Sequence, residues 1–178
     1  MNVGLISVRF ARALYDFSAS AGEEDMVHKE LKILLSHINK TPEFSDALVS
    51  PIIPQENKLK LLNTAIGGMS SNSLQRFFKL LIDHRREYIL ADICLSYNLI
   101  YEKEKGILRV RITTAVPLDQ VRSEQILNHL EKSTGKKIEL TKVVQPDIIG
   151  GYVLTTDGKR LDASVRTRLM DIRKYLTI

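Results

Sequence analysis

The residues best suited to chemistry lie between Pro146 and Leu169, in the stretch PDIIGGYVLTTDGKRLDASVRTRL. Two adjacent glycines there precede an apolar run, and an Asp-Ala-Ser triplet precedes a basic one. A glycine pair can cradle a phosphate by offering successive backbone N–H groups, usually where the chain enters a helix N-terminus. Gly150 and Gly151 instead lead into Tyr152-Val153-Leu154, a strand-like run. A backbone role is therefore expected, either a bulge or the close approach of a packed element that a side chain would block. Asp162 or Ser164 stands where it can cap a following helix, a contribution on the order of 1 kcal/mol. Gly158-Lys159 lacks the upstream glycine and the following hydroxyl of a P-loop.

Elsewhere reactive residue types are sparse. The single cysteine, Cys94, cannot close an internal disulfide and reads as a small buried apolar residue. His28, His37, His84 and His129 are scattered at no metal-like spacing, which leaves them as surface or helix-face residues. His84, with Arg85 and Arg86, could meet an anion, although a basic helix end also interacts favourably with its own dipole. There is no G-x-G-x-x-G, no H-E-x-x-H and no nucleophile motif. These absences lead to an expectation of no catalysis, no cofactor and no metal.

The elements that position these residues fall into two textures. The chain has 178 residues, 44% of them hydrophobic, enough to build one ordinary core or two small ones. Its apolar runs are short and broken by charge, far from the roughly 18 residues of a membrane span. MNVGLISVRFARALY carries Arg9 and Arg12 and no acid, but it continues unbroken into DFSASAGEED, as the first helix of a mature domain would. Residues 1–105 hold 13 basic and 13 acidic residues, whereas residues 106–178 hold 13 and 8, so the net charge of +5 sits in the last part. That asymmetry fits two units facing different partners, the second meeting something acidic, or a merely solvated basic surface.

From Leu5 to Lys105 the pattern predicts helices near 5–20, 23–39, 42–49, 54–66, 70–85 and 87–105, punctuated by Ala21-Gly22, Pro42, Pro51, Pro54 and the GGMSSNS segment. Val27, Leu31, Leu34, Leu35 and Ile38 recur at helical spacing, as do Leu59, Leu62 and Ile66. The expected first domain, residues 1–105, is an all-α bundle of six helices. At Gly106 the texture changes. GILRVRITTAVPL alternates Leu108, Val110 and Ile112 with Arg109, Arg111 and Thr113, which is strand periodicity. A helix over 118–133 ending at Gly135, strands in KKIELTKVV and IIGGYVLTT, a turn at Asp157-Gly158 and a helix from about Ala163 to Leu176 complete the prediction. Residues 106–178 are thus expected to form a small β-α-β-β-α domain of the α+β class.

On a wheel of about 100° per residue, Ile6, Phe10, Leu14 and Phe17 share one face of the first helix, while Leu5, Val8, Ala11, Tyr15 and Ala19 gather roughly opposite. One face can enter the core; the other must meet a further helix or an outside partner. The fifth helix carries a stripe of Leu74, Phe77, Phe78 and Leu81, with Leu80 and Ile82 off it, a breadth that suits a buried helix or a binding groove equally.

RFARALYDFSA near the start, LQRFFKLLIDHRREYIL in mid-chain, then TTAVPLD and the Pro146–Leu169 stretch together resemble the delta subunit of bacterial F-type ATP synthase, the counterpart of the mitochondrial oligomycin-sensitivity-conferring protein. The similarity spans nearly the whole chain, with Phe10 where the family more often has Tyr. The resemblance implies a non-catalytic stator. In that family a six-helix N-terminal domain holds N-terminal segments of the alpha subunits, and a smaller C-terminal domain holds the distal, C-terminal end of the b-subunit peripheral stalk. It further implies a peripheral location on the cytoplasmic face of the bacterial inner membrane. Carried onto this sequence, the family's alpha-binding surface falls on Val8, Ala11 and Tyr15 of the first helix and on Phe78 and Ile82 of the fifth, taken as exposed positions.

A reading from a different class is a nucleic-acid-binding adaptor whose basic C-terminal unit tracks phosphate. Against it, aromatics make up only 6% of the chain and no stacking platform is recognisable. Nucleic acid is therefore not expected as a partner.

Overall fold

Proline and glycine punctuation, more than propensity, sets where the helices of the first half begin and end. The computed structural model describes residues 3–68, 71–156 and 158–176. Six α-helices occupy the first half: α1 Val3–Ser20, α2 Glu24–Lys40, α3 Pro42–Val49, α4 Gln55–Ala65, α5 Asn72–Asp83 and α6 Leu90–Glu104. Pro42 takes the first turn of α3, where its missing N–H costs nothing and its fixed φ suits a helix start. A single 3-10 turn, Glu87–Ile89, leads into α6. The chain divides into two compact units, Met1–Glu102 and Lys103–Ile178, so the break falls within the last turn of α6, a few residues ahead of Gly106.

The core of the first unit gathers Val27, Leu31 and Leu34 from α2, Leu62 from α4, Leu74, Phe78 and Leu81 from α5, and Ile93, Cys94 and Tyr97 from α6. Leu35, Ile38 and Leu59 sit at its margin, half-buried. Tyr97 is fully buried, and its hydroxyl is satisfied by Ser18 Oγ at 2.9 Å, which ties α6 to α1. Burial pushes the Tyr97 phenol above its ordinary range and the Cys94 thiol up to about 12. Cys94 is thus an inert packing residue.

In the second unit, strand β1 Ile107–Thr114 lies between β2 Lys137–Val144, parallel, and β3 Gly151–Thr156, antiparallel, with β4 Lys159–Ser164 at the far edge. Helix α7, Gln120–Thr134, makes the crossover that a parallel β1–β2 pair requires. Asp119 caps its start by accepting from Arg122 N at 2.7 Å, and Gly135 closes it in the left-handed region. Val110 and Ile112 are buried on the α7 side of the sheet, whereas Arg109 and Arg111 project from the other side.

Two features of this unit differ from the expectation. The order is β-α-β-β-β-α, because Lys159–Ser164 forms an antiparallel strand paired with β3 from Gly151↔Ser164 to Thr156↔Lys159. The short KRLDAS run has no alternation strong enough to announce a strand; its pairing supplies the conformation. In the IIGGYVLTT segment only the part from Gly151 onward is strand, since Pro146–Ile148 forms a 3-10 turn and Ile149 has φ +68°. Of the expected Asp157-Gly158 turn, Gly158 is in a turn and Asp157 lies outside the described residues. The final helix, α8, runs Val165–Leu176.

Candidate functional site

Helix α1 turns Ser7, Ala11, Leu14 and Ser18 into the bundle, spaced at i, i+4, i+7 and i+11. Ser7 Oγ donates to Gly4 O and Ser18 Oγ to Tyr15 O, both at 3.0 Å, so the serine hydroxyls are satisfied within their own helix. Small side chains let the α1 backbone approach its neighbours, and the bulky Ile6, Phe10 and Tyr15 pack at the edges of this seam.

That seam corrects the expected partner face. Ala11 is 0% exposed, as is Phe78, and Ile82 is 2% exposed, so these three are core residues and present no surface. The wheel misplaced Ala11 because apolarity alone cannot tell a small residue in a close-packed seam from an exposed one. Phe78 and Ile82 point inward because the buried side of α5 is wide, taking in Leu74, Phe77 and Leu81 as well. Val8 is 49% exposed and Tyr15 is half-buried, with its ring centroid 5.9 Å from that of Tyr97.

What opens to solvent between α1 and α5 is an apolar groove of about 380 Å³, lined chiefly by Phe10, Ala13 and Phe17 from α1 and by Arg76, Phe77 and Leu80 from α5. Phe10 and Phe77 meet edge to face within its lining, with centroids 6.3 Å apart. The Arg76 guanidinium stands 6.0 Å from the Phe17 ring centroid at one end. Phe10 and Leu80 continue into a second depression lined by Arg9, His84 and Arg86, so the other end is basic. The sequence carried part of this signal, in Phe10 and Phe17 on one face of α1 and in Leu80 lying off the α5 stripe. It did not say that these would face each other.

Helix α5, one wall of the groove, is anchored at its start by two carboxylates, one in α2 and one on the residue just before it. Glu30 is buried and accepts from Ser71 N at 2.8 Å and from Ser71 Oγ at 2.7 Å. Glu23 accepts from Ser73 N at 2.9 Å. The Ser73 hydroxyl and backbone N–H hold the Glu23 carboxyl below its ordinary range. Carboxylates at these otherwise orphan N–H groups are the favourable pairing for a helix N-terminus.

In the second unit the glycine pair is a backbone device. Gly151 has φ +76°, and a Cβ there would lie 2.3 Å from Ala163 O. Gly150 accepts from Val165 N at 2.9 Å, and a Cβ there would press on the Val165 side chain at 3.1 Å. The pair thus lets β4 and the start of α8 close onto β3. Ser164 is the cap of α8, accepting from Thr167 N at 3.2 Å, while Asp162 supports it by accepting from Ser164 N at 3.0 Å. The Ser164 hydroxyl and N–H, with Arg160, hold the Asp162 carboxyl down at about 2. Among the described residues no group of three or more His, Cys, Asp or Glu side chains could hold a metal.

The sequence model of the ATP synthase delta (OSCP) subunit family matches residues 6–176. The chain belongs to that family. It is 40% identical over 177 residues to the ATP synthase subunit delta of Parabacteroides distasonis, covering 99% of this chain and 98% of that one. It is 35% identical to the ATP synthase subunit delta of Phocaeicola vulgatus, covering 98% of this chain and 95% of the relative. A chain in the cryo-EM structure of the Toxoplasma gondii mitochondrial ATP synthase hexamer shares the fold, with a TM-score of 0.67, 22% identity and 97% of each chain covered. As a family member the protein is a non-catalytic stator component of the F-type ATP synthase, belonging to its peripheral stalk. Among the described residues no helix is long and apolar enough to cross a membrane.

Proposed function

We propose that this protein joins the catalytic head of the synthase to the b-subunit peripheral stalk, so that rotor torque drives chemistry rather than spinning the head. Its first unit, a six-helix bundle, takes N-terminal segments of the alpha subunits, and its second unit takes the C-terminal end of the b subunit. It works at the cytoplasmic face of the bacterial inner membrane, peripheral to it through the complex. The observation that carries this reading is the α1–α5 groove, an apolar trough with aromatic walls and a basic end. Its chemistry suits an amphipathic helix laid in with its apolar face down.

Isothermal titration of the full chain with a peptide spanning the N-terminal segment of the cognate alpha subunit tests it. Ala13→Glu puts an unpaired charge in the groove while leaving the core intact, and is expected to weaken binding by at least about 2 kcal/mol. Val8→Glu and Tyr15→Ala probe the roughly opposite face of α1. If those two abolish binding and Ala13→Glu does not, the alpha segment sits on the Val8 side instead. No binding by the wild-type chain would remove the alpha subunit as the partner of this unit.

A further inference from the structure

Strand β2, Lys137–Val144, is an edge of the sheet and pairs only with β1 among the described residues. Lys137 N donates to Gly106 O at 3.1 Å, and just past the strand Gln145 N donates to Thr114 O at 2.8 Å. Both of these positions turn toward β1, so the two-residue period of a strand sends the backbone groups of Ile138, Leu140, Lys142 and Val144 outward. Ile138 N is answered by Glu131 of α7, whose Oε1 accepts at 3.1 Å. Among the described residues the N–H groups of Leu140, Lys142 and Val144 meet no acceptor.

Such an edge is a template for another strand unless proline, a bulge or a covering element blunts it. None of these interrupts Leu140–Val144: the register with β1 runs unbroken from Ile107↔Lys137 to Thr114↔Val144, and Pro146 comes only afterwards. The edge is also basic. Lys136, Lys137 and Lys142 are exposed and make no ion pair among the described residues, while the strand's one acid, Glu139, is engaged by Arg109 at 3.2 Å. Val143 and Val144 beside them are exposed apolar side chains.

We infer that the Leu140–Val144 edge accepts an extended acidic segment of another chain as a further strand of the sheet. The segment's carbonyls take the three outward N–H groups, a carboxylate lies across from Lys142, and apolar side chains at alternate positions cover Leu140 and Val144. Charge selects this occupant over a second copy, because antiparallel pairing of two such edges centred on Lys142 would set one lysine opposite the other. The inference lies outside the α1–α5 groove and does not depend on the connector reading.

The test uses the full chain and a synthetic peptide of about seven residues that alternates glutamate and valine, long enough to lie along the free edge. Amide hydrogen exchange read by NMR is expected to slow at Leu140, Lys142 and Val144 when the peptide is added, because those groups gain acceptors. A peptide of the same sequence methylated on its backbone nitrogens keeps the charge but cannot lie against a strand, and is expected to leave exchange unchanged. A lysine–valine peptide is expected to bind about tenfold more weakly. Lys142→Glu alters an exposed side chain, so it is expected to melt as the wild type does and to bind the acidic peptide about threefold to tenfold more weakly. Unchanged exchange at all three amides would overturn the inference, as would equal slowing by the methylated peptide or unaltered affinity in Lys142→Glu. Protection of the same amides in the chain alone, rising with its concentration and accompanied by a dimer in sedimentation, would give the edge to a second copy and overturn it as well.

Discussion

At the residue scale, Gly151 is held by both conformation and contact, which separates it from the other turn glycines. Gly158 has a comparable φ of +81° but nothing within 4 Å of where a Cβ would lie. Gly158→Ala therefore carries only the left-handed penalty, about 1–2 kcal/mol. Gly151→Ala adds a collision with the backbone carbonyl of Ala163, and its loss is expected to exceed that of Gly158→Ala by about 1–3 kcal/mol on the scale of stored backbone strain. Urea unfolding of the two variants checks the order; equal losses would show that β4 yields to the added methyl. Asp162 supplies a pH prediction for the same corner. Its folded-state carboxyl titrates at about 2 against an ordinary 3.8, so its contribution is complete above the unfolded value and disappears as pH falls through the folded one. Asp162→Asn is accordingly expected to be less stable than wild type at pH 6 and to converge with it between about pH 4 and pH 2. Acid titration of thermal stability reads this, and a gap that persists at pH 2 would assign the effect to something other than ionisation.

At the element scale, the groove depends on helices fixed by polar contacts between elements as well as by the shared core. Lys58 of α4 bonds Glu87 of the 3-10 turn at 2.8 Å, with side chains 8% and 9% exposed. Breaking such a pair leaves a buried charge without its counterion, whereas replacing both members by apolar residues removes the desolvation cost as well. Lys58→Met is expected to destabilise the first unit by about 3–5 kcal/mol, and Lys58→Met/Glu87→Leu to recover most of that loss. Chemical denaturation of the three proteins decides it, and a double variant no better than the single would mean that the pair is needed for its geometry. The start of α5 follows the same logic, because buried Glu30 serves Ser71 through both carboxylate oxygens. Glu30→Ala leaves those donors unserved, at a cost of about 1–3 kcal/mol. The α1–α5 groove is expected to loosen with it, which titration with the alpha peptide would register as weaker binding.

At the scale of the whole molecule, the two units differ in how well each completes itself. The first buries side chains from all six of its helices, whereas in the second, among the described residues, α7 buries only Ser123 and α8 buries none. A fragment of residues 1–105 is therefore expected to unfold cooperatively on its own. Calorimetry of that fragment checks this, and a broad melt without a helical signal would contradict it. The charge excess of residues 106–178 predicts that raising salt from about 50 to about 500 mM slows association with the b segment more than it speeds dissociation, because screening acts on exposed charge. Tight, steeply salt-dependent binding to nucleic acid, with no b-segment binding, would favour the polyanion reading instead.

The helical half, the change of texture near Gly106 and the backbone role of the glycine pair are legible in the residues alone, because periodicity, proline and glycine act locally. The sequence also carried the family resemblance, which the match over residues 6–176 established. What it could not determine was which side of a two-faced helix is buried. The α1 seam is built on Ser7, Ala11 and Ser18, residues that no hydrophobicity pattern selects, and only the neighbours they approach make them core. Ala11 is core for that reason, and Phe78 and Ile82 because the buried side of α5 is wide, while Phe10, Ala13, Phe17 and Leu80 form a groove only because α5 lies beside α1. Strand β4 was hidden in the same way, since a short polar run becomes a strand through the hydrogen bonds of its partner, and that partner is chosen by the tertiary fold.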